Sequence, residues 1–208
     1  LLLNTSFAAN LPSSTPEAQG LSSEKLAKML TYLQTPGLNV DSVILARNGQ
    51  VVLETYVAPN DAKVIHQVNS ATKSVMSAML GIAIHDGNLK LSNTVADVLP
   101  QYADLPNAKR LTVEKLASMQ TGVEWNSEFS SSSDWVNVRQ SDDWIKAYLS
   151  RPIQDERIGK FTYNSAESDL LAALIETAVQ QPLADYAEQR LFKPLGITHT
   201  RWVQNKHG

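Results

Sequence analysis

The 208-residue chain contains no cysteine. Disulfides, thiolate zinc sites and cysteine nucleophiles are therefore excluded. No apolar run approaches the roughly 20 residues that a membrane-spanning helix needs. Positive charge is not in excess: 18 Lys and Arg stand against 21 Asp and Glu, a formal net charge of -3. The basic balance of a nucleic-acid binder is missing, and no nucleic-acid partner is expected. No phosphate-cradling glycine loop, no H-E-x-x-H and no G-x-S-x-G elbow occurs. His66, His85, His199 and His207 lack metal-ligand spacing, so no metal or organic cofactor is expected. What the chain does have is 43% hydrophobic residues, enough for a sizeable core in one or two domains.

Residues 1–20 read as an extended lead-in. Its start, Leu1-Leu2-Leu3 followed by Ser6-Phe7-Ala8-Ala9, reads either as the tail of a signal peptide with a small-residue cleavage site or as a short N-terminal extension. The first reading carries a periplasmic or secreted location. Ser22 or Ser23 caps a helix with Leu26, Met29, Leu30 and Leu33 on one face, stopped by Pro36-Gly37. The β-rich runs 42–46 and 51–56 flank Arg47-Asn48-Gly49-Gln50, a hairpin signal. Residues 71–85 predict a buried helix that stops at Gly87. From there to about Phe192 the patterns are helical. Thr112 caps a helix containing Leu116 and Met119. Ser141 caps one with Trp144, Ile145 and Tyr148. A third runs over 170–179, and Pro182 opens a fourth. The serine tract 130–133 reads as a loop.

Ser70-Ala71-Thr72-Lys73 stands at the start of the buried helix. Residues three apart share a helix face, so the hydroxyl and the amine can meet. Serine is a weak nucleophile until a base takes its proton, and a lysine serves as that base if burial lowers its pKa. The helix N-terminus adds a positive dipole end and backbone N–H groups that suit an oxyanion. A second Ser-x-x-Lys, Ser22-Ser23-Glu24-Lys25, opens a charged helix and reads as a cap only. Trp125, Trp135, Trp144 and Trp202 are candidates for a substrate cleft or for core packing.

Residues 69–102, NSATKSVMSAMLGIAIHDGNLKLSNTVADVLPQY, resemble the nucleophile helix of the β-lactamase-related serine hydrolases. That family includes class C β-lactamases, carboxylesterases, D-aminopeptidases and 6-aminohexanoate-dimer hydrolases. Residues 111–125, LTVEKLASMQTGVEW, look like the family segment T-x-x-x-L-L-x-M-x-S-G. Phe161-Thr162-Tyr163-Asn164-Ser165 looks like its tyrosine motif, and 191–197, LFKPLGI, is similar to its L-F-x-P-L-G-I stretch. The resemblance implies an α+β fold of the β-lactamase/transpeptidase type, an antiparallel sheet flanked by helices with an all-helical domain. The α/β domain takes 21–87 and the helical domain 88–208, with the active site between them.

The resemblance further implies that Tyr163 joins Ser70 and Lys73 as a proton carrier. A phenol's pKa near 10 falls beside an ammonium. Ser165, Asn164 and Trp125 are the candidate substrate-binding residues. Class C β-lactamases carry Tyr-x-Asn, whereas the third position here is Ser165. That leans toward an ester or amide substrate, a small molecule cleaved through an acyl-enzyme. The family's third motif, a Lys/His-Thr/Ser-Gly triad on a strand, lies beyond the Leu-Gly-Ile stretch, and Lys206-His207-Gly208 is not that triad. Two strands do not make a stable sheet alone. The expectation is a second polypeptide carrying the C-terminal remainder of the fold. The rival reading is a non-catalytic penicillin-recognising or scaffold domain that keeps the fold.

Overall fold

The computed structural model describes residues 11–126 and 133–203. The leucine-rich start, positions 130–132 of the serine tract, and Lys206-His207-Gly208 lie outside the described residues. Among the described residues two compact units form, one from 11–67 and 194–203, the other Val68–Lys193. By compactness the helix after Ser70 falls in the second unit, whereas the sequence reading divides the chain after residue 87. The reason is packing: its Met76, Met79, Leu80 and Ala83 are buried within the helical unit.

In the first unit, helix α1 (Ser23–Leu33) is capped by Ser22, whose side chain accepts from the Lys25 N–H. Leu26, Met29, Leu30 and Leu33 form its less exposed face. The charged opening carries a Lys28–Glu24 pair at 2.6 Å between well-exposed side chains, worth only tenths of a kcal/mol, about 0.3–0.5. Strands β1 (Ser42–Arg47) and β2 (Gln50–Tyr56) pair antiparallel, with a register shift between Leu45 and Ala46. Asn48 and Gly49 both take positive φ, 52° and 74°, the geometry that lets a two-residue turn follow the strand twist. The lead-in joins this ribbon: Val51 N–H donates to Pro12 O and Ser14 N–H to Val51 O. These two strands make the one sheet among the described residues. The sheet is thus incomplete, as expected from a sequence with only two strand-like runs.

The second unit is built around α7 (Ser165–Val179). It packs on α2 (Thr72–His85) and α4 (Val113–Ser118), with α3 (Val95–Val98), α5 (Asp134–Gln140) and α8 (Leu183–Ala187) around it. Leu170, Leu174 and Ile175 of α7 are fully buried with Val113 and Leu116 of α4. Burying each such side chain contributes about 1.5–3 kcal/mol. No helix among the described residues is long and apolar enough to cross a membrane.

Several boundaries differ from the sequence reading. Met119 lies outside α4: it takes a left-handed φ of 54° and ends the helix. Ser141 does not cap α6 (Trp144–Leu149). Asp143 does, accepting from Lys146 N–H, because it directly precedes the first helical residue, whereas Ser141 ends α5 and donates its hydroxyl to Val138 O. The helix α5 itself, capped by Ser133, is absent from the sequence reading. The helix read as 170–179 begins at Ser165, because the Asn164 side chain caps it by accepting from Ala166 N–H. Pro182 precedes α8 as expected, and the chain then widens into a π-helical turn, Glu188–Phe192.

Candidate active site

Before α2 the chain makes a 3₁₀ turn, Asn69–Ala71. Asn69 enters it at a φ of 44°, a left-handed conformation that asparagine tolerates better than most residues. Ser70 therefore stands on the turn, exposed, ahead of the α-helix rather than within it. Lys73, one turn on, brings Nζ to 3.3 Å from Ser70 Oγ, the meeting that the i, i+3 spacing predicts.

Tyr163 arrives from a segment 93 residues away in the chain, and its hydroxyl lies 2.6 Å from Ser70 Oγ. That segment is anchored on either side. Thr162 N–H donates to Met119 O at 2.9 Å, and Asn164 caps α7. The Lys73 ammonium sits 4.9 Å from the Tyr163 ring centroid, on the electron-rich face that attracts cations. It also donates to Ser165 Oγ at 3.4 Å. The Lys73 ammonium and then the Ser70 hydroxyl hold the Tyr163 phenol below its usual range, against a smaller opposing effect of burial. Ser70, Lys73, Tyr163 and Ser165 thus form one connected polar cluster.

The other two sequence candidates are placed differently. Asn164 is buried, 1% exposed, and its amide donates to Glu167 Oε1 at 3.1 Å and to the Tyr148 hydroxyl at 3.3 Å. Trp125 is also buried, edge-on to Tyr148 with ring centroids 5.8 Å apart and with the Arg151 guanidinium over its face.

Two carboxyls near the cluster were not singled out in the sequence. Glu167 is 2% exposed, and burial pushes its pKa up to about 7 despite hydrogen bonds from Thr121, Tyr148 and Asn164. Its spacing from Asn164 is that of a capping box, a signal legible in the sequence. The box is not closed in the usual way, however: the carboxyl meets the Asn164 side chain. Asp169 accepts from Trp135 Nε1 at 3.0 Å. Burial raises its pKa, while the Trp135 bond, Arg139 and Lys73 oppose the rise. It follows Ser165 by one helical turn, so the two share a face.

The sequence model of the Beta-lactamase family matches residues 26–208. Protein flp of Staphylococcus aureus (strain MRSA252) is 24% identical over 177 residues, covering 80% of this chain and 35% of that protein. The crystal structure of FmtA from Staphylococcus aureus superposes with a TM-score of 0.66 at 21% identity, over 94% of this chain and 54% of that one. EstCE1, a hydrolase with promiscuous acyltransferase activity, gives a TM-score of 0.65 at 19% identity, over 87% and 52%. This chain thus spans between about a third and a half of the proteins it resembles. The structural matches carry the fold, and the family match spans all four motifs. The chain belongs to the Beta-lactamase family of hydrolases and has the β-lactamase/transpeptidase-like α+β fold.

Proposed function

We propose that this chain carries the reaction centre of a serine hydrolase that cleaves an ester or amide bond through an acyl-enzyme. The observation that carries the reading is the 2.6 Å contact of Tyr163 OH with Ser70 Oγ, beside Lys73 Nζ at 3.3 Å. Ser70 Oγ attacks the substrate carbonyl carbon, and its proton passes to the ionised Tyr163 oxygen. The lowered phenol pKa favours that ionised form. Lys73 stabilises the phenolate through the ring face and the shared serine. The tetrahedral intermediate collapses, the carbonyl–leaving-group bond breaks, and Tyr163 returns the proton to the departing alcohol or amine. Water repeats the sequence in reverse and frees Ser70. The backbone N–H of Ser70 is the oxyanion donor assigned to this chain.

Esters and linear amides are the proposed substrate class, ahead of β-lactams. Ser165 stands where class C enzymes carry asparagine, and its hydroxyl takes the contact to Lys73. The Asn164 amide is already engaged with Glu167 and Tyr148. A fluorophosphonate probe tests the reading. Covalent labelling that disappears in Ser70→Ala supports it. Absence of labelling, or labelling retained in that variant, refutes it and favours a non-catalytic domain.

A further inference from the structure

Acyl transfer makes no direct use of Glu167. Its Oε1 accepts from the Thr121 hydroxyl at 2.6 Å, Asn164 Nδ2 at 3.1 Å and the Tyr148 hydroxyl at 3.2 Å. Its Oε2 is buried with no hydrogen-bond partner. Burying a carboxyl is costly and leaving half of it unmatched more so. Core stability alone is served as well by an apolar side chain of similar volume. A group kept under those conditions calls for another reason, and its partners supply one.

Thr121 belongs to the turn that follows α4. The segment leading into Tyr163 is tied to that same turn, through Gly159 N–H to Gln120 O at 3.0 Å and Thr162 N–H to Met119 O at 2.9 Å. Beyond Tyr163, Asn164 is tied to Glu167, and Glu167 returns to Thr121. A closed loop of hydrogen bonds therefore brackets Tyr163, with Glu167 as the link between its two ends. Tyr148 buttresses the carboxyl from α6, and the Asn164 amide also reaches its hydroxyl.

We propose that Glu167 is a positioning residue for Tyr163. By joining Asn164 to Thr121 it fixes the backbone on each side of the tyrosine and so the approach of its phenol to Ser70. The proposal rests on the reading of Ser70 and Tyr163 as reacting groups. The test compares Glu167→Ala, Glu167→Gln and Thr121→Val in the native protein. Hydrolysis of p-nitrophenyl acetate is measured, and rates are normalised to active sites titrated with a fluorophosphonate. In Glu167→Ala, kcat falls about 10–100-fold, the scale of a small misplacement of a reacting group, while KM stays near the wild-type value. Glu167→Gln recovers most of that loss, because its side-chain carbonyl still accepts the same three donors. Thr121→Val falls in the same direction by less. Wild-type kcat in folded Glu167→Ala, or equal losses in the alanine and glutamine variants, overturns the proposal. Should Glu167→Ala fail to fold, wild-type kcat in Thr121→Val overturns it instead. Ser70→Ala is run alongside. Turnover surviving there refutes the catalytic reading itself, whereas its loss there with unchanged kcat in Glu167→Ala refutes only the role of Glu167.

Discussion

Replacing Glu167 with glutamine changes how stability depends on pH, and the structure sets the size of the effect. A glutamate in the unfolded chain ionises near 4.5, whereas burial raises Glu167 to about 7 in the folded protein. Between those values the folded state keeps a proton that the unfolded state has released. Stability therefore falls as pH rises through this window and levels off above it. At about 1.4 kcal/mol per pH unit the gap amounts to about 3 kcal/mol. For a protein of this size that is a Tm difference of about 6–12 °C. Glutamine occupies the same volume, offers the same acceptor and does not titrate. Thermal melts of the wild type and Glu167→Gln at intervals from pH 5 to pH 8 isolate the effect, because other titrating groups cancel in the difference. The variant gains on the wild type as pH rises and stands highest relative to it near pH 8. A difference that stays constant from pH 5 to pH 8 means that Glu167 ionises alike in both states, which refutes the argument from burial.

Ser70→Ala abolishes turnover while its circular dichroism spectrum and Tm stay those of the wild type. Retained hydrolysis in that variant assigns the nucleophile elsewhere. Lys73→Ala and Tyr163→Phe each slow acylation by roughly 10²–10⁴-fold, and the double variant loses far less than the product, because the two act on one proton path. Stopped-flow acylation rates showing strict multiplicativity separate Tyr163 from that path. The rising limb of the pH–rate profile lies below the usual phenol range, following the direction set by Lys73; it disappears in Tyr163→Phe, and its persistence there places the titration on another group. Esters and linear amides are turned over faster than cephalosporins, and steady-state kinetics with the reverse order overturn the argument from Ser165. Gly122→Ala destabilises the second unit. Its φ is 74°, and a methyl group meets Ile158 N and Gln154 O at 2.9 Å, so the left-handed strain of about 1–3 kcal/mol is a minimum. A Tm within a degree of the wild type contradicts that geometry.

Local chemistry was enough to place some features from the sequence. Asn48-Gly49 dictates a tight hairpin because both central positions need positive φ. Ser22 announces α1 and Thr112 announces α4 because short polar side chains satisfy open N–H groups. The i, i+3 spacing of Ser70 and Lys73 predicts their proximity from helix geometry alone. Family-like motifs in order identify the fold, since each records a local arrangement that packing requires.

Other features depended on distance in the chain and were decided by tertiary structure. Apart from the family resemblance, no local pattern around Tyr163 says that its hydroxyl meets a serine 93 residues earlier; the Thr162 N–H bond to Met119 O and the cap at Asn164 hold its segment there. The choice between Ser141 and Asp143 as a cap turned on where α5 ends and α6 begins: Ser141 closes the first and Asp143 opens the second. The burial of Asn164 and Trp125, and the enclosure of Glu167 by groups from three segments, follow from packing around α7. Spacing and capping act over a few residues, so a sequence shows them directly. Burial, pKa and the meeting of remote side chains exist only once the chain has closed on itself.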